Sequence, residues 1–553
     1  MNFRQTVLSL AIATAALGLI GCGTGNGDET PKSQASVPVG DTVALTASGR
    51  LISFNRTTPG TPLGSVTLSG LAGGETLVGI DGRPADGKLY GLSSSGNVYL
   101  LDPANGVATF KVTLKAAAGD DNPFTVLTGT RFAIDFNPVV DRLRVVSNSG
   151  QNLRINIDTG DTTTDAAIAA GSAVTAAAYT NSFAGSTSTQ LFDLDLTAGR
   201  LQLQSPPNDG VLSAGVPLGV TADASNGFDI DARTNTGFAV LRVAGETALY
   251  SIDLAATANT NAATKVGVIA DGGEIVGLAL TTAAAPTVIG LTSDNRLVAF
   301  NPQTPNTLTS STAIIGLAGG ETIVGIDFRP RDGMLFGVSS AGKLYTINPA
   351  SGAATLRASL LADPADTSAP FSGLAGGAIS VDFNPAADRL RIVSSNGQNL
   401  RVVVETVTTD GVTVTAGNTT TDTPINRASG AASVVASAYS NNFAGTRSTT
   451  LFNLEQNNDQ LTQQIPPNDG VLVDKGALGV DISGSGGFDI AGGDNGLALA
   501  ALRSGAGGPF SLYTVSLTTG AATLYRATSG NAALSLIGGA GGPTNLIDIA
   551  IRL

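Results

Sequence analysis

The 553-residue sequence contains no histidine and no tryptophan, and its single cysteine is Cys22. Without histidine there is no Ser-His-Asp triad, no imidazole base and no His-ligated zinc or haem. Without tryptophan the strongest aromatic face for stacking sugars or holding cations is missing. One cysteine excludes an intrachain disulfide and a thiolate metal cluster. Charge is scarce as well: 13% of residues are charged, about half the usual ~25%. The balance is acidic, 43 Asp and Glu against 30 Lys and Arg, a net charge of −13. No Lys/Arg cluster interrupts that sign, so nucleic acid is not expected as a partner. What is abundant is glycine, 70 residues, and apolar side chains, 42%. That is enough to bury a core. The length predicts about three to five ordinary domains, or fewer large all-β ones.

The first residues read as an address. Arg4 precedes an apolar run from Val7 to Ile20. The run is shorter than the ~20 residues of a spanning helix and fits a secretory leader. It ends Leu19-Ile20-Gly21-Cys22, which resembles a bacterial lipobox. The resemblance implies removal of residues 1–21 and acylation of Cys22, giving a lipid anchor. Gly23 after the cysteine matches an outer-membrane rather than inner-membrane sorting pattern if the cell is Gram-negative. Residues 22–41, rich in Gly, Ser and Pro, read as a flexible tether, with the folded part starting near Thr42.

The rest of the chain contains itself twice. Thr42-Val43-Ala44-Leu45 recurs as Thr287-Val288-Ile289-Gly290, and the GLAGGET segment at Gly70 recurs at Gly316. FNPVVDRLRVVSNSGQNLR from Phe136 returns as FNPAADRLRIVSSNGQNLR from Phe383. The NxFAG segments at Asn181 and Asn441, PPNDGVL at Pro206 and Pro466, and GFDI at Gly227 and Gly487 follow in the same order. The halves span about 42–282 and 287–553. Within each, short apolar segments alternate with turns such as PADG, PRDG, PANG and PASG, which place Pro and Gly as hairpin turns require. No stretch after the leader keeps a helical period, so almost no helix is expected.

Units of four strands, about 40–50 residues each, are β-propeller blades. In the second half five units start near Glu274, Glu321, Ala378, Val434 and Gly479. Each half opens with three strands and ends with a lone one, at Glu274–Leu280 and Asn545–Ile551. A lone last strand closes a ring by completing the first blade. The sequence therefore predicts an all-β chain of two tandem five-bladed rings, with a single ten-bladed ring as the alternative.

The segments GLAGGETxVGID, FRPxDGxLxGxSSxG, FNPxxDRLRxVSxxGQNLR and NxFAG resemble a bacterial, extracytoplasmic family known only as a domain of unknown function. The resemblance covers nearly all of 42–553, twice. It implies a secreted or lipid-anchored, propeller-like protein and brings no activity. The first copy has Gly82 where the second has Phe328.

The DRLR…GQNLR block holds the candidate binding residues: Asp135, Arg142, Arg144, Gln151, Asn152 and Arg154, repeated as Asp382, Arg389, Arg391, Gln398, Asn399 and Arg401. With Asp141 and Asp388 they could form one polar patch in each half. Guanidiniums beside amides suit a carboxylate, a phosphate or sugar hydroxyls. The same groups equally suit an ion-pair network that pins blade to blade. Aspartates also recur on innermost strands, at Asp81, Asp135, Asp327, Asp382 and Asp548. They could line the channel and hold a cation such as Ca²⁺, or cap their own turns. No D-x-D-x-D-G loop is present, and neither a metal nor a cofactor is expected.

No GxSxG motif appears, and the Gly-rich runs lack the Lys and helix of a P-loop. No catalytic residue is assigned. The sequence thus predicts an envelope protein, held to the membrane through its anchor, with a non-catalytic binding or scaffolding role toward another envelope protein or a small ligand. A carboxylate-dependent hydrolase or lyase acting outside the cell, and a purely structural envelope protein, are the alternatives.

Overall fold

The computed structural model describes residues 36–553, apart from 271–272, 282–285, 410, 429, 483–485, 493–496, 504–507 and 526–531. The leader, Cys22 and the tether up to residue 35 lie outside the described residues. Strands and a few short 3₁₀ turns make up the described elements. No helix among them is long and apolar enough to cross a membrane.

The strands form two closed rings of five blades. Blade one of the first ring pairs Thr42–Thr46, Arg50–Phe54 and Gly64–Thr67 with the distant Ile275–Leu280, which takes the innermost place. The innermost strands of blades two to five are Leu77–Arg83, Phe132–Asn137, Val174–Tyr179 and Ala222–Ile230. Each neighbours the next around the axis, and Ala222–Ile230 returns to Ile275–Leu280. The second ring repeats the plan. Its blade one is completed by Leu546–Arg552 pairing with Thr287–Thr292, and its other inner strands are Ile323–Phe328, Ile379–Asn384, Val434–Tyr439 and Phe488–Ala491.

These pairings decide between the two closures. One large ring would need the strand at 275–280 to begin the second half, but it pairs instead with Thr42–Thr46. The unit that the sequence placed near Glu274 therefore belongs to the first ring. Register also corrects the repeat. Leu45 lies opposite Gly277 and Leu291 opposite Asp548, so Ala44-Leu45 corresponds to Gly290-Leu291, one residue beyond the sequence match.

Burial explains why the strands read as near-continuous apolar runs. Each blade is sandwiched between two others, so middle strands are covered on both faces. Leu335–Ser339 is buried throughout, whereas the outermost strand of the same blade, Ala354–Ser359, is largely exposed. Cores lie between blades: Tyr90, Leu92 and Val98 of one pack on Phe136, Leu143, Val145 and Leu153 of the next. Gly227 and Gly487, the glycines of GFDI, sit at φ 133° and 103°. A Cβ there would fall 2.4 and 2.3 Å from the backbone nitrogens of Leu278 and Ile549, so glycine lets blade five approach the closing strand.

Two contacts lie outside that plan. The last tether residues are seated on the first ring: Val37 N donates to Ala104 O at 2.8 Å, and Arg56 pairs with Asp41 at 3.1 Å. The first ring's packing thus includes residues before Thr42, because Val37 finds apolar cover. The rings also meet. Phe183 of the first NxFAG segment is fully buried in a cluster with Phe300, Phe510 and Tyr525 of the second ring. There Gln303 donates to the Tyr525 hydroxyl at 2.7 Å.

Candidate functional site

The DRLR…GQNLR block lies on the first three strands of blade three, and cross-strand register brings its parts together. Arg144 sits opposite both Asp135 and Arg154; Arg391 sits opposite Asp382 and Arg401. The Arg144 side chain is 3% exposed and donates to Asn152 at 2.8 Å, Asp165 at 2.6 Å, Asn208 at 2.7 Å and the Tyr179 hydroxyl at 3.2 Å. Arg391 bonds in the same way to Asn399, Asp422, Asn468 and Tyr439. Arg154 and Arg401 grip Asp165 and Asp422 with two bonds each, at 2.7 and 2.8 Å. Asn152 and Asn399 donate to the carbonyls of Pro207 and Pro467. The PPND turns of blade four are therefore half of this network, a partnership that the shared motif signalled only as a repeat.

Other members of the block go elsewhere. Gln151 accepts from Thr128 N at 2.9 Å and donates to Val126 O at 2.9 Å; Gln398 does the same with Ala375 and Gly373. Both pin the preceding loop and stay out of the arginine cluster. Asp141 and Asp388 adopt left-handed turns, φ 51°, and pair with Arg83 and Arg329 of blade two at 2.5 Å. Asp135 and Asp382 turn toward the axis.

What remains open is a recess. In the second ring Asn384, Ala387, Arg389, Arg391, Arg401, Tyr439 and Asn468 line a cavity of about 240 Å³. Asp422 is shared by two of the three guanidiniums. Arg389 donates to the Ala387 and Asp388 carbonyls, at 3.4 and 3.0 Å. Positive charge thus exceeds negative at the recess wall. Arg142 occupies the matching place in the first ring, where Val140 replaces the smaller Ala387.

The inner strands carry a second cluster. Asp81, Asp135 and Asp229, and likewise Asp327, Asp382 and Asp489, are buried with one oxygen from each within 4.8 Å of the others. Asp229 and Asp489 were missed in the sequence; the identical GFDI segments were the available signal. Each carboxylate staples its blade to a neighbour. Asp81 accepts from Phe136 N at 2.7 Å, Asp135 from Tyr179 N at 3.0 Å, and Asp229 from Leu280 N at 2.7 Å. In the second ring Asp327 bonds Phe383 N, Asp382 bonds Tyr439 N, Asp489 bonds Ile551 N and Asp548 bonds Ile326 N. Burial, reinforced by the Asp229 charge, holds Asp81 well above the usual carboxylate range. Burial and the neighbouring carboxylates do the same to Asp135 and Asp382, and burial pushes Asp229 and Asp489 up to about 7. These triads are the residues that could hold a cation. Their bonds from backbone N–H groups equally make them structural staples between blades, with burial opposing ionisation and the N–H donors favouring it.

The family model for the domain of unknown function DUF4394 matches residues 50–279 and again 296–537. No curated protein matches. Solved structures with similarity include the Dos1 propeller, 14% identical over 65% of this chain and 90% of that one, TM-score 0.26. The β-propeller domain of Myceliophteria thermophila Cps50 (Swd1) is 11% identical over 72% and 96%, TM-score 0.23. The nidogen/laminin complex gives 10% over 56% and 86%, TM-score 0.22.

Proposed function

From the premise that the chain belongs to the DUF4394 family, a tandem pair of its domains, we propose a lipid-anchored envelope protein that binds rather than catalyses. Its ligand is a small anion, taken at the arginine recess of the second ring. One observation carries this reading: three guanidiniums face the recess while a single carboxylate, Asp422, neutralises two of them. Arg391 and Arg401 are fixed by their bonds to Asp422, so the recess is organised before a ligand arrives. Arg389, at the rim, is held only by carbonyls and is the group with most to gain from a carboxylate or phosphate. Anchoring through Cys22 would hold the rings at the membrane surface.

Calorimetric titration of the mature protein with citrate and with inorganic phosphate tests the site. Saturable binding that weakens with salt is expected, and Arg389→Ala should reduce affinity by about tenfold with an unchanged melting temperature. No heat with either anion would sink the reading. Cys22→Ser should move the protein from the membrane to the soluble fraction.

A further inference from the structure

Gly82 and Phe328 occupy the same place in the two rings. Each lies at the end of blade two's inner strand in regular extended pairing, Gly82 with Leu89 and Phe328 with Leu335. In the second ring the Phe328 side chain is 6% exposed and shares a core with Ile289, Leu335, Ile347 and Ala550. Register identifies the counterparts of those four as Val43, Leu89, Leu101 and Ala279. In the first ring these same four line an open cleft of about 620 Å³ between blades one and two. The backbone does not demand glycine here, since Gly82 is outside the left-handed region and phenylalanine takes the equivalent position. What glycine provides is space.

The cleft runs inward. It shares Gly82, Leu280 and Thr281 with a smaller recess of about 150 Å³ at the ring centre, where Arg56, Asp231 and Arg233 supply polar groups. We propose that this cleft is a binding site for a small molecule carrying an aromatic ring. The ring seats where Phe328 seats in the other copy, and a polar substituent points to the central recess. The walls are apolar at the same four places that enclose a phenyl group in the second ring, with Leu89 and Ala279 identical to Leu335 and Ala550, and covering them withdraws apolar surface from water. The site is independent of the arginine recess, which lies on another blade of the other ring.

The absence of tryptophan makes the test direct, because an indole probe can be read by fluorescence without background. Titrating the mature chain with indole should show one saturable site. Gly82→Phe should weaken binding by at least about tenfold while the melting temperature holds or rises. Phe328→Gly should raise the stoichiometry to two; if that variant fails to fold, Gly82→Phe alone decides. No saturable binding by the native chain, or binding untouched by Gly82→Phe, overturns the proposal. So would a Gly82→Phe variant that instead dissociates a dimer, which identifies a second copy as the occupant. Indole binding that appears only after residues 23–35 are removed would identify the chain's own tether as the occupant and overturn it equally.

Discussion

The two rings are built on one plan and part at particular positions. The closing strand, the aspartate staples of blades two, three and five, and the network around Arg144 and Arg391 recur bond for bond. Among the differences, four stand out: Gly82 against Phe328, Val140 against Ala387, Gly277 against Asp548, and Asp193 against Asn453. The shared parts join blade to blade, whereas three of the four differences change what fills a cavity or an axial position. A duplicated chain can vary its contents only where the joints do not depend on them.

The Asp193/Asn453 pair is the most instructive. Asn453 donates its amide to Gln464 Oε1 at 3.2 Å. Asp193 is its near-isostere in the first ring and has no N–H to give. Both its oxygens and Gln204 Oε1 are buried without a hydrogen-bond partner in the protein. A bond between two such acceptors needs a proton, which a neutral Asp193 would supply. Burial pushes its pKa well above the usual range, against the opposing pull of Arg144.

The largest effect should come from the shared network. Arg391→Ala strips partners from Asn399, Asn468 and Asp422 and should cost about 3–5 kcal/mol, as buried ion pairs do when one side is removed. Arg144→Ala should cost the first ring as much. Hydrogen exchange resolved by peptide measures each ring, and unequal losses would break the equivalence. A smaller effect follows from Asp193. Its folded pKa is raised, so the folded state keeps a proton that the unfolded state releases near pH 4. Stability is therefore full below that pH and declines as pH rises toward the folded pKa. Asp193→Asn should flatten the decline in the first ring and gain about 1–3 kcal/mol at pH 8, while Asn453→Asp should introduce a decline in the second. Parallel pH profiles for native protein and Asp193→Asn would refute the neutral acid. The smallest change is expected from Asp548→Gly, which installs the first ring's residue. It removes one staple, to Ile326 N at 2.9 Å, and should cost about 0.5–1.5 kcal/mol by thermal melting.

How much of this was legible in the sequence depends on whether a feature is local. Hairpin turns are local, so Pro and Gly marked the blades and the lone strands at 275–280 and 546–552 announced closure. Contacts between blades leave no periodic trace. Strand alternation placed Arg142 and Arg144 on one face, yet one reaches the rim and the other is sealed beneath the PPND turn of the next blade. Asp229 and Asp489 passed as repeat markers because their bonds reach the closing strand, some fifty residues or more along the chain. The tether looked featureless up to Asp41 because its cover, Ala104 and Arg56, comes from elsewhere in the ring.

Closure by a terminal strand also sets a schedule for folding. As the chain emerges N-terminus first, the first ring can seal once residue 280 is free, while the second must wait, unsealed, for Leu546–Arg552. Over that interval Thr287–Thr292 presents an unsatisfied β-edge. A finished first ring beside it, with Phe183 ready to dock against Phe300, can shelter the nascent half from premature association.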